Sequence, residues 1–139
     1  KENEAINKLI PKNYTFVNDM LQPSKYQVTE FLENKDKYVI KKVIDTRGRG
    51  VVIGKQCSLE QWRIYLNKAL QEPYVIQEYA KHNKEEVYTA SALPVKAEMY
   101  SNLAIFMIAG EACGLLSRAS PDMVTNIGKA GCMRPVYIL

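Results

Sequence analysis

The character of the sequence changes at the charged segment 81–86, and this change limits the possible folds more than any other feature. Before it, amphipathic segments with helix-capping residues alternate with short β-branched runs. After it, residues 87–139 contain no strong amphipathic helix and have the composition of strands separated by turns. The sequence therefore predicts an α+β fold of two small lobes, at about 24–80 and 87–139, with mostly antiparallel sheets. Residues 1–23 are predicted to form an N-terminal helix, over 2–9, and a connector.

Two helices of the first lobe are predicted from their capping residues. Ser24 precedes Gln27, and Ser58 precedes Gln61, at the spacing of a capping box, in which each partner satisfies a backbone N–H at the helix start. The second of these helices is expected to bury one apolar face. The residues of that face are Leu59, Trp62, Leu66, Ala69 and Leu70.

Strands are predicted where β-branched and aromatic residues cluster. These runs are 38–44, 51–53, 74–79, 87–93, 102–109, 112–119 and 135–139. The first two flank the glycine-containing loop 45–50 and predict a hairpin, and Gly110-Glu111 predicts a tight turn. Irregular structure is predicted for 12–23, 81–86 and 120–134.

Composition excludes several classes of function. The chain has 139 residues and a net charge of +4, which is too mild to indicate a nucleic-acid surface. The single histidine, His82, and three widely spaced cysteines disfavour a Ser-His-Asp triad and most metal sites, and they favour a reduced, cytoplasmic protein. The longest uncharged apolar run, Leu103–Gly110, is too short to span a bilayer, so no membrane association is expected. Because residue 1 is Lys and not Met, the chain is expected to be either an excised segment or a processed product.

A lysine within an apolar strand is the first candidate site residue. Lys41 and Lys42 both lie in the run Val39–Ile44, where an ammonium group loses hydration unless it meets an anion. Alternation places the two lysines on opposite faces of the strand, and periodicity leaves open which of them faces a site. A solvated lysine on an outer face is the alternative.

The loop Arg47-Gly48-Arg49-Gly50 follows that strand. Glycine backbone N–H groups can surround phosphates, and arginines can add positive charge. The loop lacks the Walker A spacing and no helix follows it directly, so a plain hairpin turn stays open as the alternative.

The segment Gln77-Glu78-Tyr79-Ala80 ends the third predicted strand. A carboxylate beside exposed backbone groups at such a strand end can bind adenine or ribose. A strand that simply runs into a loop is the alternative.

Arg118 and Asn126 are the candidates in the second lobe. Arg118 lies in an otherwise small and apolar strand, where an arginine requires an anionic partner. Asn126 can offer an oxygen to Mg²⁺, a hard cation that relies largely on substrate phosphates for its ligands. Each residue alone also has a structural explanation.

Taken in order, these segments resemble the circularly permuted ATP-grasp family, the glutathionylspermidine-synthase-like ligases. The resemblance covers about residues 5–139. The segments that carry it are Leu9-Ile10-Pro11, Tyr38-Val39-Ile40-Lys41, Arg47 to Gly54, Pro73 to Tyr79 and Gly114 to Asn126.

The resemblance implies two α+β lobes that hold MgATP between them. The ATP-binding positions that it implies are Lys41 for the phosphates, Arg47, Gly48, Arg49 and Gly50 for the flap, and Gln77, Glu78, Tyr79 and Ala80 for the hinge at adenine and ribose. It gives Arg118 the catalytic role of steadying the transferred phosphoryl group. Asn126 resembles the late Mg²⁺ ligand, and Asp122 is a candidate acidic ligand beside it.

The chemistry that the resemblance implies is carboxylate activation. The carboxylate attacks the γ-phosphate of ATP to give an acylphosphate, and an amine or thiol then displaces phosphate. Positioning and charge neutralisation drive such a step, so no catalytic histidine or cysteine is needed. The expected function is the ATP-binding core of a carboxylate–amine ligase, with ATP and Mg²⁺ as cofactors. The expected partners are an unidentified carboxylate and amine and the remaining domains of a larger chain.

The sequence departs from the family pattern at the metal site. Thr125 and Asn102 stand where acidic residues are expected, and Lys42 replaces the proline that often follows the strand lysine. A catalytically degenerate nucleotide-binding domain is therefore the first alternative. The second is a nucleic-acid-binding module using Arg47 and Arg49, which the lack of interleaved aromatic residues disfavours.

Overall fold

In the described residues, two four-stranded sheets, both antiparallel throughout, form the framework of the fold. The computed structural model describes residues 10–16, 25–45, 49–88, 93, 95–128 and 130–136, except for the side chains of Lys25 and Tyr26. The chain divides into two compact units, Lys1–Ala80 and Lys81–Leu139, and each contains one of the sheets. With two α-helices in the described residues, the fold class is α+β, as predicted.

The first unit contains both helices. Its elements are β1 (Asn13–Thr15), α1 (Lys25–Glu33), β2 (Tyr38–Lys42), β3 (Val51–Ile53), α2 (Leu59–Ala69) and β4 (Tyr74–Glu78), with 3₁₀ turns at Lys35–Lys37 and Gly54–Gln56. The strand order is β1-β4-β2-β3. Strands β2 and β3 pair antiparallel, which confirms the predicted hairpin. The predicted N-terminal helix over 2–9 lies outside the described residues.

The core of the first unit lies between one sheet face and the two helices. The buried cluster consists of Phe31, Tyr38, Ile40, Trp62, Leu66, Ala69, Tyr74 and Ile76. The indole Nε1 of Trp62 donates a hydrogen bond of 2.8 Å to the Phe31 carbonyl, so it joins α2 to α1 through both packing and a polar contact. Tyr38 packs edge-on against Phe31 at 4.9 Å between ring centroids.

Helix α2 begins at the predicted capping box. The Ser58 hydroxyl accepts from the Gln61 backbone N–H, and the Gln61 side chain accepts from the Ser58 backbone N–H, each at 3.2 Å. Trp62 and Leu66 of the predicted inner face are buried, but Leu59 is 46% exposed. Leu59 lies in the first helical turn and lines a shallow surface depression with Leu32, so its assignment to the core was wrong.

The second unit is made of strands in the order β5-β6-β7-β8. Their bounds are β5 (Lys84–Tyr88), β6 (Lys96–Ile108), β7 (Glu111–Ser120) and β8 (Cys132–Arg134). Both helices of the described residues belong to the first unit, and neither is long and apolar enough to cross a membrane.

Three short edge strands depart from the sequence prediction. Strand β1 lies in the segment predicted to be irregular, the charged start of β5 lies in 81–86, and β8 lies in the predicted loop 120–134. Residues 135–136 are not a strand, and the rest of the predicted strand 135–139 lies outside the described residues. Edge strands face solvent on one side and tolerate charges, as in the 2.6 Å ion pair of Lys96 with Glu86, so their composition resembles that of loops.

The turn between β6 and β7 lies one residue earlier than predicted. Ala109 and Gly110 form it, with φ angles of 51° and 87°. A two-residue hairpin turn with positive φ at both positions is type I′, whose twist matches that of the strands it joins. Gly110 adopts this conformation without strain, whereas Ala109 carries a Cβ that opposes it.

We expect Ala109→Asn to stabilise the second unit by about 0.5–1 kcal/mol, because asparagine tolerates the left-handed conformation better than alanine. Urea unfolding followed by far-UV circular dichroism measures the change. Ala109→Val, with a β-branched side chain at the same position, should shift stability in the opposite direction. Equal stability of the two variants would contradict a left-handed Ala109.

Candidate functional site

Lys41 projects from the sheet face of the first unit that lies opposite the helices. It alternates along β2 with the buried Ile40, which packs in the helix-facing core. Val51 and Val75 are its direct cross-strand neighbours on β3 and β4. The side chain is half-buried, and this burial lowers the pKa of the Lys41 ammonium from its ordinary value.

The structure distinguishes Lys41 from Lys42, which the sequence could not do. Lys42 is exposed, and its ammonium lies 6.0 Å from the centroid of the Tyr74 ring. Its backbone N–H donates to the Gly50 carbonyl at 2.9 Å, so its main chain closes the hairpin. Lys41 is therefore the lysine whose side chain is partly desolvated.

A chain of amides holds the Lys41 ammonium. Lys41 Nζ donates to Gln77 Oε1, and Gln77 Nε2 donates to Asn13 Oδ1 at 2.8 Å. Asn13 lies directly opposite Gln77 in the β1–β4 pair. Because Asn13 accepts from the amide nitrogen, the amide oxygen of Gln77 is the end that faces Lys41.

Asn13 is a site residue that the sequence analysis missed, because its segment was predicted to be irregular. The signal that could have found it is the spacing of Tyr14 and Phe16, two aromatic residues on one side of an extended chain. Both pack against the helix-facing core, which places Asn13 on the same face as Lys41.

The remaining hinge residues lie apart from the Lys41 side chain. Glu78 follows Gln77 and faces the other side of the sheet, where its carboxylate accepts from the Lys12 backbone N–H at 3.4 Å. The Tyr79 backbone N–H donates to the Lys37 carbonyl at 2.7 Å, and the Lys55 ammonium lies 4.7 Å from the centroid of the Tyr79 ring. Ala80 is exposed beyond the end of β4. The structure thus brings Gln77, and not Glu78, to Lys41.

The glycine loop is described only at its second half, since Arg47 and Gly48 lie outside the described residues. Arg49 is exposed, and its Nε lies 4.0 Å from a carboxylate oxygen of Asp45. A Cβ at Gly50 would lie 2.7 Å from Lys42 Cβ and 2.8 Å from Asp45 Oδ2. Glycine at this position therefore allows the loop to pack closely against the end of β2.

In the second unit, Arg118 lies directly opposite Asn102 in the β6–β7 pair. Asn102 Nδ2 donates to Thr125 Oγ1 at 2.7 Å, which ties the loop after β7 to the sheet. Within the described part of the chain, the buried atoms Arg118 Nε and Asn102 Oδ1 have no hydrogen-bond partner. Buried polar atoms without partners are costly in a native fold, so this pair is suited to a polar or charged ligand.

The two predicted metal ligands lie in the same loop. The Asp122 backbone N–H donates to the hydroxyl of the buried Ser120 at 3.1 Å, and Asp122 itself is exposed. Asn126 Oδ1 accepts from the Gly128 backbone N–H at 2.9 Å, so the amide oxygen already serves the loop. No group of three His, Cys, Asp or Glu side chains in the described residues could hold a metal ion. Magnesium binding stays a prediction.

Two groups of polar side chains therefore stand out, each within its own unit. The first is Lys41 with Gln77 and Asn13, and the second is Arg118 with Asn102. Both place a partly desolvated cation on a strand next to neutral amides, which is an arrangement suited to anions. No protein-family model matches the chain, and no curated protein matches it in sequence.

Proposed function

We propose that this chain is the nucleotide-binding core of an ATP-grasp-like ligase that joins a carboxylate to an amine. The observation that carries the proposal is the Lys41 ammonium, which is half-buried between valines and bonded to a neutral amide. Among the described residues, no carboxylate forms an ion pair with it. A partly desolvated cation of this kind gains most from a ligand that brings its own negative charge.

The sheet face around Lys41 also suits a nucleotide. Val51 and Val75, both partly exposed, share this face with Lys41, so a flat apolar group has aliphatic side chains to pack against. Lys41 would then bind phosphate oxygens beside that group. A surface that combines an apolar face with one fixed cation favours the binding of a nucleotide over the binding of an inorganic anion.

The proposed reaction depends on charge neutralisation and needs no nucleophilic side chain. Arg118 supplies a second cation, and its Nε retains a free hydrogen-bond donor within the described residues. Mg²⁺ bound with ATP would neutralise phosphate charge, and Asn126 and Asp122 are the residues proposed to hold it. They supply one amide and one carboxylate, so the nucleotide's own phosphates would provide the main part of the metal's coordination.

A catalytically degenerate nucleotide-binding domain is the second candidate function, and Asn102 is the observation that favours it. Asn102 lies opposite Arg118 in the sheet and is neutral. Its amide nitrogen already donates a hydrogen bond to Thr125 in the loop after β7. This candidate predicts that ATP binds equally well with Mg²⁺ and with EDTA. The ligase proposal predicts that Mg²⁺ strengthens binding.

Thermal unfolding with and without ATP tests the proposed function. Because a ligand that binds only the folded form stabilises it by mass action, ATP at 100 times its Kd adds about 2.7 kcal/mol. We expect ATP to raise the Tm of the wild-type chain and to leave the Tm of Lys41→Met unchanged. Methionine retains the apolar length of lysine and removes only the charge.

Lys42→Met is the matched control, since Lys42 is the neighbouring lysine and is exposed. It should keep the full ATP-dependent shift. A mixed-sequence oligonucleotide provides a second comparison, because a nucleic-acid-binding module would be stabilised by it in a steeply salt-dependent manner. The proposal fails if neither ATP nor ADP shifts the wild-type Tm, or if both lysine variants lose the shift equally.

A further inference from the structure

We propose that the hairpin end of the second sheet is an interface between two copies of this chain. This segment, Leu103–Leu115, is called the ribbon below and has the sequence LAIFMIAGEACGL. It contains a single charged residue, Glu111. The ribbon therefore differs from the rest of a chain in which 24% of residues are charged.

Apolar side chains on the ribbon are exposed to an unusual extent. The exposed fractions are 57% for Leu103, 57% for Ile105, 53% for Phe106, 58% for Met107, 66% for Ile108 and 36% for Leu115. A hairpin with one solvated face normally alternates apolar and polar residues, and this one does not. Continuous exposed apolar residues on both faces of a strand indicate a surface that is covered in the functional state.

Within the described residues, the two outer edges of the ribbon are unpaired as well. Strand β5 pairs only with residues 96–100 of β6, and β8 pairs only with residues 117–119 of β7. Within the described residues, the ribbon is thus a two-stranded extension with a free edge on each side. Two-stranded ribbons are marginally stable alone, and long apolar edges readily pair with another strand.

A second copy of the same chain is the occupant that these features favour. Residues 97–117 contain no lysine or arginine, so the ribbon offers nothing to an anionic surface such as a nucleic acid or a lipid headgroup. Since the ribbon carries almost no charge, two chains of net charge +4 can meet there without placing like charges together. Antiparallel pairing of identical edges is self-complementary about a two-fold axis.

The exposed area fits a weak dimer. The six exposed side chains present about 600 Å² per copy over both faces of the ribbon, so pairing along one edge would bury only part of the area that two copies expose, which is the size of a transient interface. The β6 edge would contribute backbone hydrogen bonds in addition to this apolar contact. We therefore expect a reversible dimer and not a permanent one.

Sedimentation velocity of the purified chain over micromolar concentrations tests the interface. We expect a monomer–dimer equilibrium in the wild-type chain and at least a 100-fold weaker dimer in Ile105→Lys, because the two-fold axis brings the new charges together. Ile64→Lys is the matched control: Ile64 is 51% exposed on α2, outside the ribbon, and this variant should dimerise like the wild type. Far-UV circular dichroism establishes that both variants fold.

Mixing Ile105→Lys with Ile105→Glu gives the decisive result, because opposite charges across the axis should restore a dimer that neither variant forms alone. A wild-type chain that stays monomeric over the whole concentration range would overturn the proposal. Open-ended aggregation without a discrete dimer would also overturn it, as would a dimer that is unaffected by Ile105→Lys.

Discussion

Trp62→Ala is expected to destabilise the first unit by about 3–5 kcal/mol, a large fraction of the stability of a small domain. Trp62 is completely buried and is the largest side chain in the core. Removing the indole leaves a cavity between α2 and the sheet, and it removes the hydrogen bond to the Phe31 carbonyl. Burial of that carbonyl without a partner adds to the loss.

Two variants separate these causes. Trp62→Phe fills much of the cavity and removes the N–H, so it should cost about 1–3 kcal/mol. Ile64→Ala, on the exposed side of the same helix, should cost less than about 0.5 kcal/mol. Because the chain has one tryptophan, unfolding in urea must be followed by circular dichroism in these variants. A cost below about 1 kcal/mol for Trp62→Ala would contradict the observed core.

Helix α2 could be predicted because its signals are local. Ser58 and Gln61 specify where the helix begins, and the spacing of Trp62, Leu66 and Ala69 specifies which side is buried. The same applies to the β2–β3 hairpin, in which two β-branched runs flank a loop with glycine. Signals of this kind lie within a few residues and do not depend on the rest of the fold.

The short edge strands could not be predicted, because their partners specify them. Asn13–Thr15 becomes a strand only by pairing with β4, and Cys132–Arg134 only by pairing with β7. Three residues carry too little periodicity to indicate a strand on their own.

The charged strand β5 also depends on a distant partner. Its residue Glu85 is stabilised by Arg134, which contacts it at 2.7 Å and lies 49 positions away in sequence. The hydrogen bond from Ser101 is the leading cause that lowers the pKa of Glu85.

The candidate site could be predicted from the sequence only where its signals are local. The apolar strand around Lys41 and Lys42 showed that a lysine would be partly desolvated, and alternation placed the two on opposite faces. Which face the helices cover depends on tertiary packing, and Ile40 in the helix-facing core settles it. The partner Asn13 depends on a strand pair that spans 64 positions in sequence, so no local pattern contained it.

The proposed function relies on a combination of side chains that occurs in both units. Each unit carries a cation on a β-strand whose neighbours are amides or apolar groups: Lys41 beside Gln77, and Arg118 opposite Asn102. A cation needed only for stability is usually paired with a carboxylate, as Lys96 is with Glu86 on the second sheet. The proposed function therefore assigns the binding of a negatively charged ligand to Lys41 and Arg118.

Gly54→Ala is expected to destabilise the first unit by about 3 kcal/mol or more, because the added methyl group has no space. A Cβ at Gly54 would lie 1.8 Å from the Lys35 carbonyl oxygen and 2.6 Å from its carbon. Both are backbone atoms of the turn that leads into β2, so side-chain rotation cannot relieve the overlap. The φ angle of Gly54 is not left-handed, so the requirement is for space and not for conformational freedom.

A hydrogen bond between the same two residues links Gly54 to the candidate site. Lys35 Nζ donates to the Gly54 carbonyl at 2.7 Å, which fixes the turn before β2 against the turn after β3. Separating these turns would disturb β2, which is the strand that carries Lys41. Gly54→Ala should therefore lose ATP-dependent stabilisation as well as intrinsic stability. In Gly114→Ala, the new Cβ would lie 3.8 Å from Phe106, an ordinary contact, and stability should change by less than about 0.5 kcal/mol. Equal urea midpoints for the two alanine variants would show that the Lys35–Gly54 contact does not constrain the fold.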